Sequence, residues 1–331
     1  MSSQNSGHNY DVFFYEAFKE EEDALRRLLP RKIKAGFIWK TIQEEGLTAP
    51  PAALISIRTQ SQLKPEWTAQ LKGILSRSTG YDHLLCYRNE TRTNAALGYL
   101  PLYCHRAVAE QAMLVWMALM RKFQRQTAQF AQFNRDGLSG WECEHKTLVV
   151  VGVGNVGYQI VKIGRGLGMH VWGVDLVHKH PDVDYLPIEE AIERADVIVC
   201  AMNLTPRNVG YFDYQLLSRA RRGLFFVNIA RGEMSPISDM LRLMNEQRLG
   251  GLALDVFENE TELAHALRSS QDSQHPAVLA VLKLKQMSNV ILTPHNAFNS
   301  LESVERKAEQ SIRQVQSFLD TGNFLWIIPD E

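Results

Sequence analysis

A chain of 331 residues with 45% hydrophobic and 22% charged residues has room for two domains, each with its own core. The formal net charge of −1 leaves no global field to attract nucleic acid or an acidic membrane, so a bound anion must be held by a local site. No apolar run reaches the length of a bilayer span, residues 1–9 lack a signal-peptide core, and Cys86, Cys104, Cys143 and Cys200 show no C-x-x-C spacing, which suits a cytoplasmic protein with reduced thiols and no metal.

In chain order, residues 12–15, 53–57 and 74–76 read as strands, and 20–29 and 65–71 between them have helical character, with Pro65 suited to a first turn. This βαβ rhythm implies a largely parallel sheet covered by helices on both faces. Residues 107–123 are the most helical segment. Their apolar residues Val108, Ala112, Val115, Trp116 and Leu119 occupy several faces, as in a helix buried between two layers. The polar stretch 124–140 then closes on the loop signal Asn134-Arg135-Asp136-Gly137.

A second βαβ series starts at Thr147, with strands at 148–151, 171–174, 197–200, 224–227, 251–254 and 290–292 and helices at 156–166, 188–194 and 237–245. A last helix spans 302–319, with Val304, Ala308, Ile312, Val315 and Leu319 near helical spacing. The stretch 263–285 reads as polar, and a lid, a surface helix pair and an insertion all remain open for it.

The strand at 148–151 runs directly into Gly152-Val153-Gly154-Asn155-Val156-Gly157, a G-x-G-x-x-G loop. The first glycine permits the tight turn, the second lets a pyrophosphate approach the backbone, and the third lets the helix pack close to the strand. Amides at the helix start, from Asn155 and Val156 onward, then face the phosphates, where the helix dipole also favours negative charge. Asp175 closes the next strand, at the position where such units place a ribose-binding carboxylate. A carboxylate there accepts from ribose hydroxyls and repels a 2′-phosphate, which favours NAD over NADP, with His178, Lys179 and His180 partly offsetting the repulsion.

Three further segments follow in order: Phe226-Val227-Asn228-Ile229-Ala230-Arg231-Gly232, Ala253-Leu254-Asp255-Val256-Phe257-Glu258-Asn259-Glu260, and Ile291-Leu292-Thr293-Pro294-His295. Together with the glycine loop they make the chain resemble the D-isomer-specific 2-hydroxyacid dehydrogenases over nearly its whole length, closest in motif to the D-lactate dehydrogenase branch. That resemblance implies a reaction in which a hydride passes between NADH and a 2-keto acid to give a D-2-hydroxy acid. His295 would serve as the acid and base. Glu260 would orient its ring and favour its protonated form, and Arg231 would hold the substrate carboxylate or carbonyl. Ala230 and Asp255 are implied to lie against the cofactor, Asp255 at the nicotinamide carboxamide; the plain alternative for Asp255 is a strand-end cap.

Ser76-Arg77-Ser78-Thr79-Gly80-Tyr81-Asp82 resembles the family's substrate loop, in which the amides of Thr79 and Gly80 would receive the carboxylate. Tyr103 matches a substrate-contacting tyrosine, with a packed hinge aromatic as the equal alternative, and Phe298 would wall the pocket toward small substrates. Ser235-Pro236 and Thr261 depart from the family pattern without removing a catalytic group.

The fold this implies is α/β, with two doubly wound parallel-sheet domains and a cleft between them. A flavodoxin-like substrate domain spans 1–105, a Rossmann NAD-binding domain spans 106–299, and residues 300–331 form a helix that returns to the substrate domain. The resemblance also implies a homodimer formed through the cofactor domain. Two rivals stand beside this reading: a phosphite-type anion dehydrogenase of the same superfamily, and a non-catalytic NAD(H)-sensing protein like the corepressors that share the fold.

Overall fold

The β-branched and aromatic runs of the sequence become the strands of two parallel sheets in the computed structural model, which describes residues 9–269 and 273–329. The elements run β1 (Val12–Phe14), α1 (Lys19–Leu28), β2 (Ala35–Phe37), α2 (Ile42–Glu45), β3 (Leu54–Ile57), β4 (Gly73–Ser76), α3 (Asp82–Thr91) and β5 (Ala96–Gly98). They continue with α4 (His105–Met120), α5 (Phe123–Gln129), β6 (Thr147–Val151), α6 (Asn155–Gly166), β7 (His170–Val174), α7 (Ile188–Arg194), β8 (Val197–Cys200), α8 (Tyr214–Leu217) and β9 (Leu224–Asn228). The remainder is α9 (Ile237–Asn245), β10 (Leu249–Leu254), α10 (Glu260–Ser269), α11 (Pro276–Lys285), β11 (Val290–Leu292) and α12 (Leu301–Thr321). The chain divides into two units, Met1–Cys104 with Ser300–Glu331, and His105–Asn299.

In the first unit the strand order is β2-β1-β3-β4-β5 with every pair parallel, the flavodoxin-like order. Its core gathers Tyr15, Ile42, Ile55, Ile57, Trp67, Ile74 and Leu84. Acidic Glu20, Glu21 and Glu22 in the first turn of α1 and basic Arg26 and Arg27 in its last turn match the helix dipole. The flanking strands β2 and β5 have three residues each, too short to show an alternating pattern in sequence. The helical character expected at 65–71 is confined to one 3-10 turn, Pro65–Trp67. Burial of Trp67, whose indole N–H donates to the Thr48 carbonyl at 3.1 Å, decides the local conformation there.

The second unit has the order β11-β10-β9-β8-β6-β7, again all parallel, so the chain reverses direction across the sheet at β6. This is a Rossmann-type sheet, and ligands of such sheets lie outside the carboxyl ends of the strands at that reversal. Helix α4 packs on α6, β9 and β10 and buries Ala109, Ala112, Val115 and Trp116, as its many-sided apolar pattern requires.

The polar stretch 124–140 carries the end of α5 to Gln129 and a 3-10 turn, Phe130–Gln132, before the loop that begins near Asn134. Of the readings open for 263–285, of which 270–272 lie outside the described residues, the structure shows the helix pair, though with one face buried rather than lying on the surface. These helices are α10 and α11, whose Leu263, Ala266, Val278, Val281 and Leu284 belong to the unit's core, because residues 276–285 are apolar at nearly every position. Among the described residues, no helix is long and apolar enough to cross a membrane, and no group of histidines, cysteines and acids is arranged to hold a metal ion.

Candidate active site

At the end of β6 the backbone of Gly152 turns through φ +90, and a Cβ there would lie 2.6 Å from the Met202 amide nitrogen. A Cβ on Gly157 would come within 1.9 Å of the Gly152 carbonyl oxygen, so only glycine lets α6 start this close to the strand. Gly154 is different: a Cβ there would meet nothing within 4 Å. The space before the helix is open, and Gly154 caps α6 without a side-chain hydrogen bond, so the amides of Asn155, Val156 and Gly157 face that space uncapped by a side chain. Asp175, one residue past β7, accepts from the amides of Val153 at 2.6 Å and Val177 at 3.1 Å, which fixes its carboxylate beside the glycine turn. Helix amides opening on free space with a fixed acid alongside fit a dinucleotide.

The other three motifs emerge from β9, β10 and β11, which are neighbours, at their carboxyl ends. After β9, the Asn228 side chain accepts from the Ala230 amide at 3.0 Å and donates to the Arg231 carbonyl and the Ser235 hydroxyl at 2.8 Å each. Arg231 Nη1 donates to the Ala230 carbonyl at 2.9 Å. Gly232 then presses on the turn after β10: a Cβ on it would fall 1.9 Å from the Phe257 carbonyl carbon. That contact holds the arginine turn against the chain segment leading to Glu260.

Glu260 is the first residue of α10, where the helix dipole favours a carboxylate, and it follows Asn259 in the left-handed region at φ 55. Its Oε1 and Oε2 lie 2.8 and 3.0 Å from His295 Nδ1, with both side chains about one fifth exposed at 19% and 20%. An ionised glutamate only accepts, so Nδ1 carries the hydrogen of this bond and Nε2 is the nitrogen open to proton exchange.

His295 is itself left-handed, at φ 50, a conformation costing a non-glycine residue on the order of 1–3 kcal/mol. Buried Asp255 holds it there. Its carbonyl accepts from the His295 amide at 2.8 Å, and its carboxylate accepts from Thr293 Oγ1 at 2.5 Å and from the Asn296 and Ala297 amides at 2.8 Å. Burial pushes the Asp255 carboxyl above the ordinary value, against the pull of those hydrogen bonds and of His295. Phe298, next along, is buried.

In the first unit, Thr79 and Gly80 follow β4. Thr79 Oγ1 donates to the Leu100 carbonyl at 3.3 Å and lies 3.3 Å from Cys104 Sγ. Tyr103 is buried against α12, its carbonyl accepting from Arg306 Nε at 2.9 Å and its ring 5.8 Å from Lys307 Nζ. Burial holds its phenol well above the ordinary value.

Asp255 caps the turn after its strand end, the plain alternative its position offered, and Glu21, Arg77 and Lys307 form a buried charged cluster that no motif marks. A signal for Lys307 was present, since it falls between Val304 and Ser311 on the apolar stripe of α12, where a charge needs a partner.

The family model for the NAD binding domain of D-isomer specific 2-hydroxyacid dehydrogenases matches residues 112–297, more than half of the chain. A D-specific alpha-keto acid dehydrogenase of Enterococcus faecium is 25% identical over 324 residues, covering 94% of this chain and 97% of that protein. The D-lactate dehydrogenase of Escherichia coli is 27% identical over 227 residues, covering 66% and 67%. The crystal structure of Aquifex aeolicus D-lactate dehydrogenase, complexed with NAD and lactic acid, aligns with a TM-score of 0.82 at 26% identity, over 96% of this chain and 100% of that one. D-2-hydroxyisocaproate dehydrogenase shares the fold at a TM-score of 0.80 and 21% identity, over 96% and 99%. A match of this extent over so similar a fold establishes membership: the chain belongs to the D-isomer-specific 2-hydroxyacid dehydrogenase family, oxidoreductases with a Rossmann domain, and its cofactor is NAD.

Proposed function

We propose that the protein reduces a small 2-keto acid to the D-2-hydroxy acid and catalyses the reverse oxidation. The observation that carries this reading is the His295–Glu260 pair, 2.8 Å apart, at strand ends adjoining the one that bears Arg231. NADH, when bound, supplies the hydride to C2 of the keto acid. His295 Nε2 delivers the proton to the carbonyl oxygen, and Glu260 keeps the ring oriented through Nδ1. Arg231 pairs with the substrate carboxylate or carbonyl through its guanidinium fork, a geometry no lysine reproduces.

The amides of Thr79 and Gly80 receive the carboxylate, and Tyr103 and Phe298 bound the side-chain pocket. Gly152, Gly154 and Gly157, with the amides of Asn155 and Val156, hold the pyrophosphate; Asp175 holds the ribose, Ala230 lies against the cofactor, and Asp255 adds a contact to the carboxamide. In this reading residues 1–105 and 300–331 bind substrate and 106–299 bind the cofactor.

The same reading makes the protein a cytoplasmic homodimer. Supporting it are free thiols and a run of exposed apolar residues on and after α4: Leu114 at 58%, Phe123 at 56%, Phe130 at 74% and Phe133 at 72%.

The test is NADH oxidation across a panel of 2-keto acids, with the chirality of the product determined and phosphite plus NAD run in parallel. A D-hydroxy acid from one small keto acid supports the proposal. Turnover of phosphite alone, or tight NADH binding without any turnover, overturns it in favour of an anion dehydrogenase or a cofactor sensor.

A further inference from the structure

Directly after β4, Arg77 is wholly buried, and its guanidinium is gripped from several elements. Nε donates to Glu21 Oε1 of α1 at 2.8 Å, Nη1 to Ser56 Oγ of β3 at 3.0 Å, and Nη2 to the carbonyl of Tyr15 beyond β1. Its amide donates to the Ile57 carbonyl at 2.8 Å. The same Glu21 oxygen is 2.8 Å from Lys307 Nζ of α12, and all three charged side chains are 0% exposed. Residues 78–80 hang from this anchor. Ser78 Oγ donates to the Gly80 carbonyl at 2.7 Å and lies 2.6 Å from Ser76 Oγ, which in turn lies 2.9 Å from His83 Nε2. The Ser78 carbonyl accepts from Leu100 at 3.1 Å.

Stability alone is a poor reason for this cluster. Desolvating charges costs several kcal/mol per ion, and well-packed apolar side chains in place of a buried ion pair are often as stable or more so. What the cluster provides and apolar side chains do not is direction: a planar fork with fixed acceptors admits one placement of the Arg77 backbone. Glu21 carries two cations on one oxygen. Burial alone would raise its carboxyl, yet Arg77, Lys307 and Arg58 hold it down at about 2, so Glu21 stays ionised and its bond to Arg77 persists across the neutral range.

We propose that Arg77, held by Glu21, Ser56 and the Tyr15 carbonyl, with Lys307 sharing the Glu21 carboxylate, is the positioning residue for the loop whose Thr79 and Gly80 amides receive the substrate carboxylate. The inference rests on the reading of that loop given above.

Arg77→Met and Lys307→Met each leave Glu21 with one cation, a neutral pair suited to burial. KM and kcat for the preferred 2-keto acid, NADH affinity by fluorescence, and amide hydrogen exchange of residues 78–81 are measured in both. Arg77→Met is expected to raise KM about tenfold or more, the scale of one charge-assisted hydrogen bond, with NADH affinity unchanged, kcat little altered and faster exchange in the loop. Arg77→Lys should recover part of the loss, and Lys307→Met should give a smaller rise of the same kind.

Wild-type KM and exchange in folded Arg77→Met overturn the proposal; if that variant does not fold, Arg77→Lys decides by the same readouts. Gly80→Pro, which removes the Gly80 N–H, separates the two readings. A raised KM there with an unchanged KM in Arg77→Met removes Arg77 and keeps the loop, whereas unchanged KM in both removes the loop itself.

Discussion

His295 combines two features that a loop histidine has no need of, a left-handed backbone and a two-oxygen contact with a carboxylate at a helix start. Replacement by alanine should lower kcat by roughly 10²- to 10⁴-fold, the usual worth of a positioned acid–base group, with NADH affinity unchanged in a fluorescence titration. Loss of NADH binding in that variant would instead mean that the turn is a structural support for the cofactor site. Asp175→Ala should weaken NADH binding roughly tenfold or more and narrow the gap between NADH and NADPH, measured as the ratio of their kcat/KM values.

Lys307 gives a pH signature. Burial, with Arg58 and Arg77 adding to it and Glu21 opposing, pushes its pKa down to about 7 from an ordinary 10.5. Between those values the unfolded chain holds the extra proton, so folding stability from this residue rises with pH above about 7 and is missing below it. Denaturant midpoints should therefore show the wild type gaining on Lys307→Met between about pH 6 and about pH 9; a constant difference would count against the shift.

At the level of elements, the site is made by strand ends and by backbone contacts that glycine alone permits. Gly232 is the clearest case, since its contact with Phe257 keeps the turn after β9 against the turn after β10. Gly232→Ala has no room for its methyl group. It should destabilise the protein by about 1–3 kcal/mol, read from urea unfolding, and lower kcat as well, because Arg231 and Glu260 leave their common register. Helices α10 and α11 contribute in a different way. Their apolar faces enter the core of the second unit, so Glu260 at the head of α10 stands on a packed helix. The same holds for α12, whose apolar stripe carries Lys307 into the first unit.

For the whole molecule, cofactor binding should appear as added stability. NADH at about a hundred times its Kd contributes about 2.7 kcal/mol to the unit that binds it, so calorimetry should show the melting of residues 105–299 moved upward by NADH and much less so in Asp175→Ala. The sequence by itself determined the βαβ order, the Rossmann glycine loop with Asp175, and the Arg231, Glu260 and His295 motifs. These are legible because they depend on local chemistry: glycine where a Cβ has no room, an acid one strand later, and β-branched runs that can only be strands. The strands β2, Ala35-Gly36-Phe37, and β5, Ala96-Leu97-Gly98, were not legible because they lack the continuous apolar run that marks the equally short β1 and β11. The stretch over α10 and α11 stayed open among a lid, a surface helix pair and an insertion because its apolar positions take meaning only from what covers them. The amides that Asp255 braces and the pairing of Glu21 with Arg77 and Lys307 were settled by tertiary structure. Glu21 and Arg77 stand 56 positions apart, and nothing near either residue in sequence requires a buried partner; only folding removes the water that would otherwise have kept the two charges apart.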